Sequence, residues 1–153
     1  MKRGSTVILR AIIVVGGLGV LVLCFLSLLK FIDGQVGGYA PILIGVYVSL
    51  VPFLFALIQG MKLLGNIDQD KAFSVASVSA LKNIKISATV IGAMYTLGIP
   101  YVYIVADRDD APGVIVMALG VILISFVVAI FSSVIQRLFQ NAVDIKSEND
   151  LTV

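Results

Sequence analysis

The sequence predicts an all-α membrane protein, with four transmembrane helices arranged up-down-up-down in a single domain. Three observations carry that prediction. Hydrophobic residues make up 59% of the chain and charged residues 13%, against roughly 45–50% and 25% in soluble domains. A soluble fold of 153 residues has too little interior to cover so much apolar surface. Four windows are free of charge and long enough to cross roughly 30 Å of hydrocarbon, for which about 20 residues suffice.

The windows are Ala11–Leu29, Gly34–Met61, Ile86–Ala106 and Ala111–Gln136, each bracketed by charged residues. In the first, 13 of 19 residues are Leu, Ile, Val or Phe, and inserting them gains about 4–8 kcal/mol. A single charge at mid-membrane would cost about 2.5–3.5 kcal/mol. The expected spans are 8–31, 41–64, 76–103 and 111–137, with a loop at 65–75 and a tail at 141–153.

Local signals set these limits. Gly34, Gly37 and Gly38 read as a loop, and Pro41 and Pro112 suit first turns, where a missing N–H is harmless. Gly65 is the expected stop of the second helix, and Pro52 is expected to kink it. Ser74 is the expected N-cap of the third helix, with Phe73 and Val78 at the spacing of a hydrophobic staple. Pro100 is expected to bend or end that helix, with Tyr101 and Tyr103 following at interfacial depth.

Basic residues set the direction. With the N-terminus inside, nine of the 11 Lys and Arg fall on the cytoplasmic side and only Lys30 and Arg108 fall outside, a clear positive-inside bias. Both termini are therefore expected in the cytoplasm.

Several function classes are disfavoured. The net charge of +2 and the lack of a basic face with interleaved aromatics argue against direct nucleic-acid binding. With no His, no metal-ligand spacing, no nucleophile elbow and no phosphate loop, no catalytic constellation can be assembled. No cofactor, metal or catalytic residue is therefore expected, and the chain reads as a non-enzyme. The lone Cys24 excludes an internal disulfide. It follows bulky Leu23 inside a run that continues to Leu29, so it is a small hydrophobe in an uncleaved helix rather than a lipidation site. Charge-free spans also disfavour charge-relay transport, leaving a small oligomeric transporter or channel as a lesser alternative.

Attention therefore moves to the two faces. Outside, Asp107, Arg108, Asp109 and Asp110 form an acidic loop that marks the membrane boundary and caps a helix. The alternative is a contact for a membrane-active cationic peptide, as in an immunity or resistance protein. Inside, Phe73, Lys82, Lys85, Asp144, Lys146, Glu148 and Asp150 are the candidate contacts for a cytoplasmic protein partner. The tail is either a solvated end, or a segment that docks Asp144 or Glu148 on Lys82 or Lys85, or one that is presented to a partner. Small residues recur at four-residue spacing: Gly45 with Ser49, Ala56 with Gly60, Ala88 with Gly92, and Ser125 with Ala129 and Ser133. They suit close helix packing within one chain, with a homodimer as the alternative.

Particular stretches resemble a known family. They are Met1-Lys2-Arg3-Gly4-Ser5-Thr6, Lys71-Ala72-Phe73-Ser74, Leu81-Lys82-Asn83-Ile84-Lys85, Asp109-Asp110-Ala111-Pro112-Gly113, and the tail from Asn141 to Val153. Together they are similar to the YoaS-like family of uncharacterised bacterial four-span membrane proteins. The resemblance covers essentially the whole chain and brings no catalytic residues. It implies a multi-pass protein of the bacterial plasma membrane, often encoded beside a small Cro/repressor-type helix-turn-helix regulator. A regulatory or envelope-stress role through that kind of partner is the expectation that follows.

Overall fold

The computed structural model describes residues 2–152. Met1 and Val153, at the outer limits of two of the family-like stretches, lie outside the described residues, as do the side chains of Lys2 and Arg3. Four helices account for nearly everything described: α1 Lys2–Ile32, α2 Ala40–Asp68, α3 Val75–Arg108 and α4 Pro112–Leu151, with a single 3₁₀ turn at Gly37–Tyr39 before α2. There is no strand among the described residues. All four helices are long and apolar enough to cross a membrane. The α2–α3 connection lies with the termini at one end, here the terminal end, and the loops around 33–39 and 109–111 lie at the far end.

The helices outrun their apolar windows, and the reason is in how they stop. Gly65 does not end α2, which continues to Asp68. At that end Lys71 N–H donates to Asn66 C=O at 2.8 Å and Asp70 N–H donates to Ile67 C=O at 3.2 Å. That paired pattern around a left-handed residue is a Schellman stop, and the left-handed residue is Asp70 at φ 56°. Asp110, at φ 48°, ends α3 the same way, with Ala111 N–H on Ala106 C=O at 2.8 Å. Gly34 does so for α1, with Gln35 N–H on Lys30 C=O at 3.1 Å. A glycine stop needs neighbours that cannot carry the helix further; Gly65 has a full turn of helix-compatible residues after it.

Asp110 adopts its left-handed conformation against its own Cβ and places a negative charge at the negative end of a helix. Asp110→Gly is therefore expected to stabilise the protein by about 0.5–1 kcal/mol, read as a higher unfolding midpoint. An unchanged or lower midpoint would count against the strain.

Pro41 and Pro112 occupy first turns as expected. Pro52 and Pro100, by contrast, lie inside continuous helices. Of the two outcomes expected at Pro100, bending or ending α3, the ending is corrected: the helix runs on for eight residues to Arg108. In hydrocarbon no water satisfies a freed backbone, so continuing the helix costs less than breaking it.

Each helix packs mainly on its neighbour in sequence, α3 with α4 most closely, then α2 with α3, and α1 with α2 least. Only 6% of the most apolar window of α1 is buried inside the protein, so most of its surface faces lipid. Its covered residues are Thr6, Arg10, Ile13, Gly17, Val20, Cys24, Ser27 and Phe31, alternating by four and three. That is a coiled-coil seam, yet five of the eight are polar, charged or small. Lipid offers no hydrophobic drive toward a neighbour, so close approach and hydrogen bonds set the interface instead. Arg10 meets Asp68 at 2.8 Å, Ile13 lies against Gly60, and Gly17 against Leu57. Farther along, the Ser27 hydroxyl and Tyr47 phenol are 2.9 Å apart.

The α2–α3 and α3–α4 interfaces use the same chemistry. Ser49 and Tyr95 hydroxyls approach to 3.4 Å between α2 and α3. In α4, Ala118, Ser125, Ala129 and Ser132 are buried, so the small-residue reading holds with Ser132 more covered than Ser133. Gly92 of α3 is so close to α4 that an added Cβ would lie 3.1 Å from the Phe126 ring.

A polar pocket and a helical extension at the terminal end

The loop between α2 and α3 is tied down by hydroxyl and amide groups. Ser74 is the N-cap, in extended backbone, and accepts from Ser77 N–H at 3.3 Å. The Ser77 hydroxyl is fully buried; it receives the Asn66 amide at 3.3 Å and donates to Lys71 C=O at 3.3 Å. Phe73 packs its ring on Phe139 of α4, centroids 5.1 Å apart and planes at 67°, an edge-to-face pair worth about 0.5–1.5 kcal/mol beyond area burial. Phe73 is thus a contact within the chain, between this loop and α4. Phe139→Ala is expected to loosen the loop and speed limited tryptic cleavage after exposed Lys71 by several-fold. Equal cleavage rates would show that the ring pair does not hold it.

The tail is not a loose end. It continues α4 as helix to Leu151, and Thr152 closes it by donating its N–H to Glu148 C=O at 3.1 Å. At 1.5 Å per residue the 40 residues of α4 span about 60 Å, twice the hydrocarbon thickness. The docking alternative is corrected here. Asp144, Lys146, Glu148 and Asp150 are exposed, as is Lys82, and Lys85 is half-covered. The one ion pair among the described residues is Arg10–Asp68, so no tail carboxylate meets Lys82 or Lys85. The tail runs on as helix to Leu151 instead of folding back onto the loop. Asp144 instead accepts from Gln140 at 2.9 Å, one helical turn away. Past the Phe139 turn, Ile145 and Leu151 are bare, with 67% and 83% of their surfaces exposed.

Between the last turns of α2 and the first turns of α3 lies a second feature, a polar pocket of about 480 Å³. Gln59, Lys62, Asn66, Gln69, Ser79 and Asn83 contribute its polar groups, and no carboxylate lines it. Sequence reading missed this pocket. Asn66 and Gln69 fall in the expected loop 65–75 and Asn83 in the expected third span, with no single stretch of sequence to join them to Gln59. The signal was their spacing: Gln59 and Asn66 share one side of α2, with Gln69 just past its end, and Ser79 and Asn83 share one side of α3.

At the far end, Asp107, Arg108, Asp109 and Asp110 are all exposed. They end α3, and Asp109 lies against the Tyr39 phenol. Among the described residues no group of three His, Cys, Asp or Glu is placed to hold a metal ion. Tyr101 donates its hydroxyl to Gly38 C=O at 2.8 Å, tying α3 to the glycine-rich loop. An apolar cleft of about 400 Å³ opens nearby between α2, α3 and α4, floored by Gly45, Gly98 and Ala118.

Comparison with known proteins places this architecture. Residues 35–153 match the model of a family described as "Protein of unknown function (DUF2975)". The chain belongs to that family. A similar protein is the "Uncharacterized membrane protein YoaS" of Bacillus subtilis (strain 168), 44% identical over 165 aligned residues that cover the whole of both chains. No solved structure matches. The DUF2975 match starts just ahead of the 3₁₀ turn and takes in α2, α3 and α4, and so includes both the polar pocket and the α4 extension.

Proposed function

We propose that this DUF2975 protein is a non-enzymatic regulatory component of the bacterial plasma membrane that works through protein contacts at its cytoplasmic end. The carrying observation is the α4 extension: a helix that leaves the membrane, is braced at its base by Phe73 on Phe139, and presents Ile145 and Leu151 uncovered. Exposed large side chains on a stable helix suit a partner groove. The positive-inside bias supports a cytoplasmic location for this end and both termini. A bacterial relative that is itself a membrane protein supports the membrane assigned.

The partner class is a small helix-turn-helix regulator, as the family resemblance implies. Such a regulator should copurify with the full-length protein and be lost with Ile145→Asp and Leu151→Asp, which leave α4 and its brace intact. Equal recovery with both variants, or none with the unaltered protein, would defeat this reading.

A further inference from the structure

The polar pocket at the terminal end is lined by one cation and several hydrogen-bond donors and by no carboxylate. Its location comes first. Lys62 and Lys85 are the charges that bound the apolar windows of α2 and α3, so the pocket between residues 59–69 and 76–83 sits at the edge of the hydrocarbon. Its chemistry follows from its lining. Lys62 is exposed and free to swing over the mouth, and the carboxamides and the Ser79 hydroxyl can all donate. The first turn of α3 adds to this. Ala76 lines the pocket one residue into a helix whose first N–H groups lack intrahelical acceptors and carry its positive end.

The deciding observation is Gln59. It is only 5% exposed and borders the pocket, yet its amide has no hydrogen-bond partner among the described residues. The enclosed side-chain atoms without partners are Arg10 Nε and Asp68 Oδ1, so the Gln59 amide keeps access to the pocket, where it can donate to a ligand's oxygens.

From this geometry we infer that the pocket binds the phosphate of an anionic phospholipid headgroup from the adjoining leaflet. A free phosphate ester shares that chemistry, but the lipid is favoured because the site lies at the bilayer edge. There Lys62 can meet the phosphate while the acyl chains remain in hydrocarbon. The inference stands apart from the partner contacts of α4 and involves none of the same residues.

The test is lipid competition on the full-length protein in nanodiscs, with phosphatidylglycerol titrated against phosphatidylcholine and soluble glycerol phosphate as a separate arm. Phosphatidylglycerol should be retained several-fold over phosphatidylcholine. Lys62→Gln, an exposed change that leaves the fold alone, should cut that preference about tenfold, the scale of one charge-assisted hydrogen bond. Gln59→Glu, of equal size, should abolish it by repulsion, while Lys146→Gln on the α4 extension should leave it intact. No preference in the unaltered protein, or one that survives both pocket variants, would overturn the inference. Glycerol phosphate binding without any lipid preference would overturn the lipid assignment.

Discussion

Replacing Gly92 by leucine is expected to destabilise the protein by about 1–3 kcal/mol, the usual cost of forcing atoms into a filled interface. The Phe126 ring lies across Gly92, and a single Cβ there would already come within 3.1 Å of one ring atom and 3.3 Å of two others. Leucine adds three carbons beyond that point, so either the ring leaves or α3 and α4 part. The α3–α4 interface is the most extensive in the molecule. Phe126 is 39% exposed, which gives the ring a path outward toward lipid and keeps the cost within that range. Denaturant titration of the purified protein in mixed micelles would measure it. Phe126→Ala in the Gly92→Leu background should recover part of the loss by emptying the contested space. A Gly92→Leu protein as stable as the unaltered one would show that the helices do not meet there as described.

The second large effect concerns the Arg10–Asp68 pair. Asp68→Asn should cost about 1–2 kcal/mol, because it leaves the Arg10 cation in a partly covered site without its counter-charge. The figure for a fully buried pair is about 3–5 kcal/mol. It is reduced here because the Arg10 and Asp68 side chains are 37% and 24% exposed. The pair is made by one oxygen and one nitrogen; Arg10 Nε and Asp68 Oδ1 are buried without partners, so its geometry is not the strong two-pronged kind. It follows that Arg10→Met with Asp68→Asn should be nearly as stable as the unaltered protein. A double change that costs as much as the two single changes added together would show that the charges do not act on each other.

What the sequence made legible was whatever the bilayer demands. Charge-free windows, first-turn prolines and the Ser74 cap are local, and each emerged where expected. Helix ends were harder, because two of three stops use an aspartate in a left-handed conformation. Asp70 and Asp110 look like ordinary loop acids until the paired backbone hydrogen bonds are seen. Of the three readings of the tail, only docking on Lys82 or Lys85 fails, for a related reason. Its charges suggested a partner within the chain, whereas four-residue spacing such as Gln140 to Asp144 already favoured a continued helix. The polar pocket needed two helices to be placed side by side, and no single stretch announces that. The seam of α1 was readable in principle: Thr6, Arg10, Gly17, Cys24 and Ser27 fall on one line once polarity, rather than apolarity, is followed at coiled-coil spacing.

That seam has a consequence for assembly. Because contacts run chiefly from each helix to the next, every pairing can form as the chain emerges, with no long-range closure to wait for. The first helix is joined by a narrow strip of small and polar groups, while the three that follow share the most extensive interfaces. The region matched by the family model begins at residue 35, after α1 has ended. The molecule thus divides into a three-helix body and a helix leaning on its side. A membrane helix joined by so narrow a strip keeps most of its surface against lipid, and the Arg10–Asp68 contact is the clasp that holds its terminal end to the body.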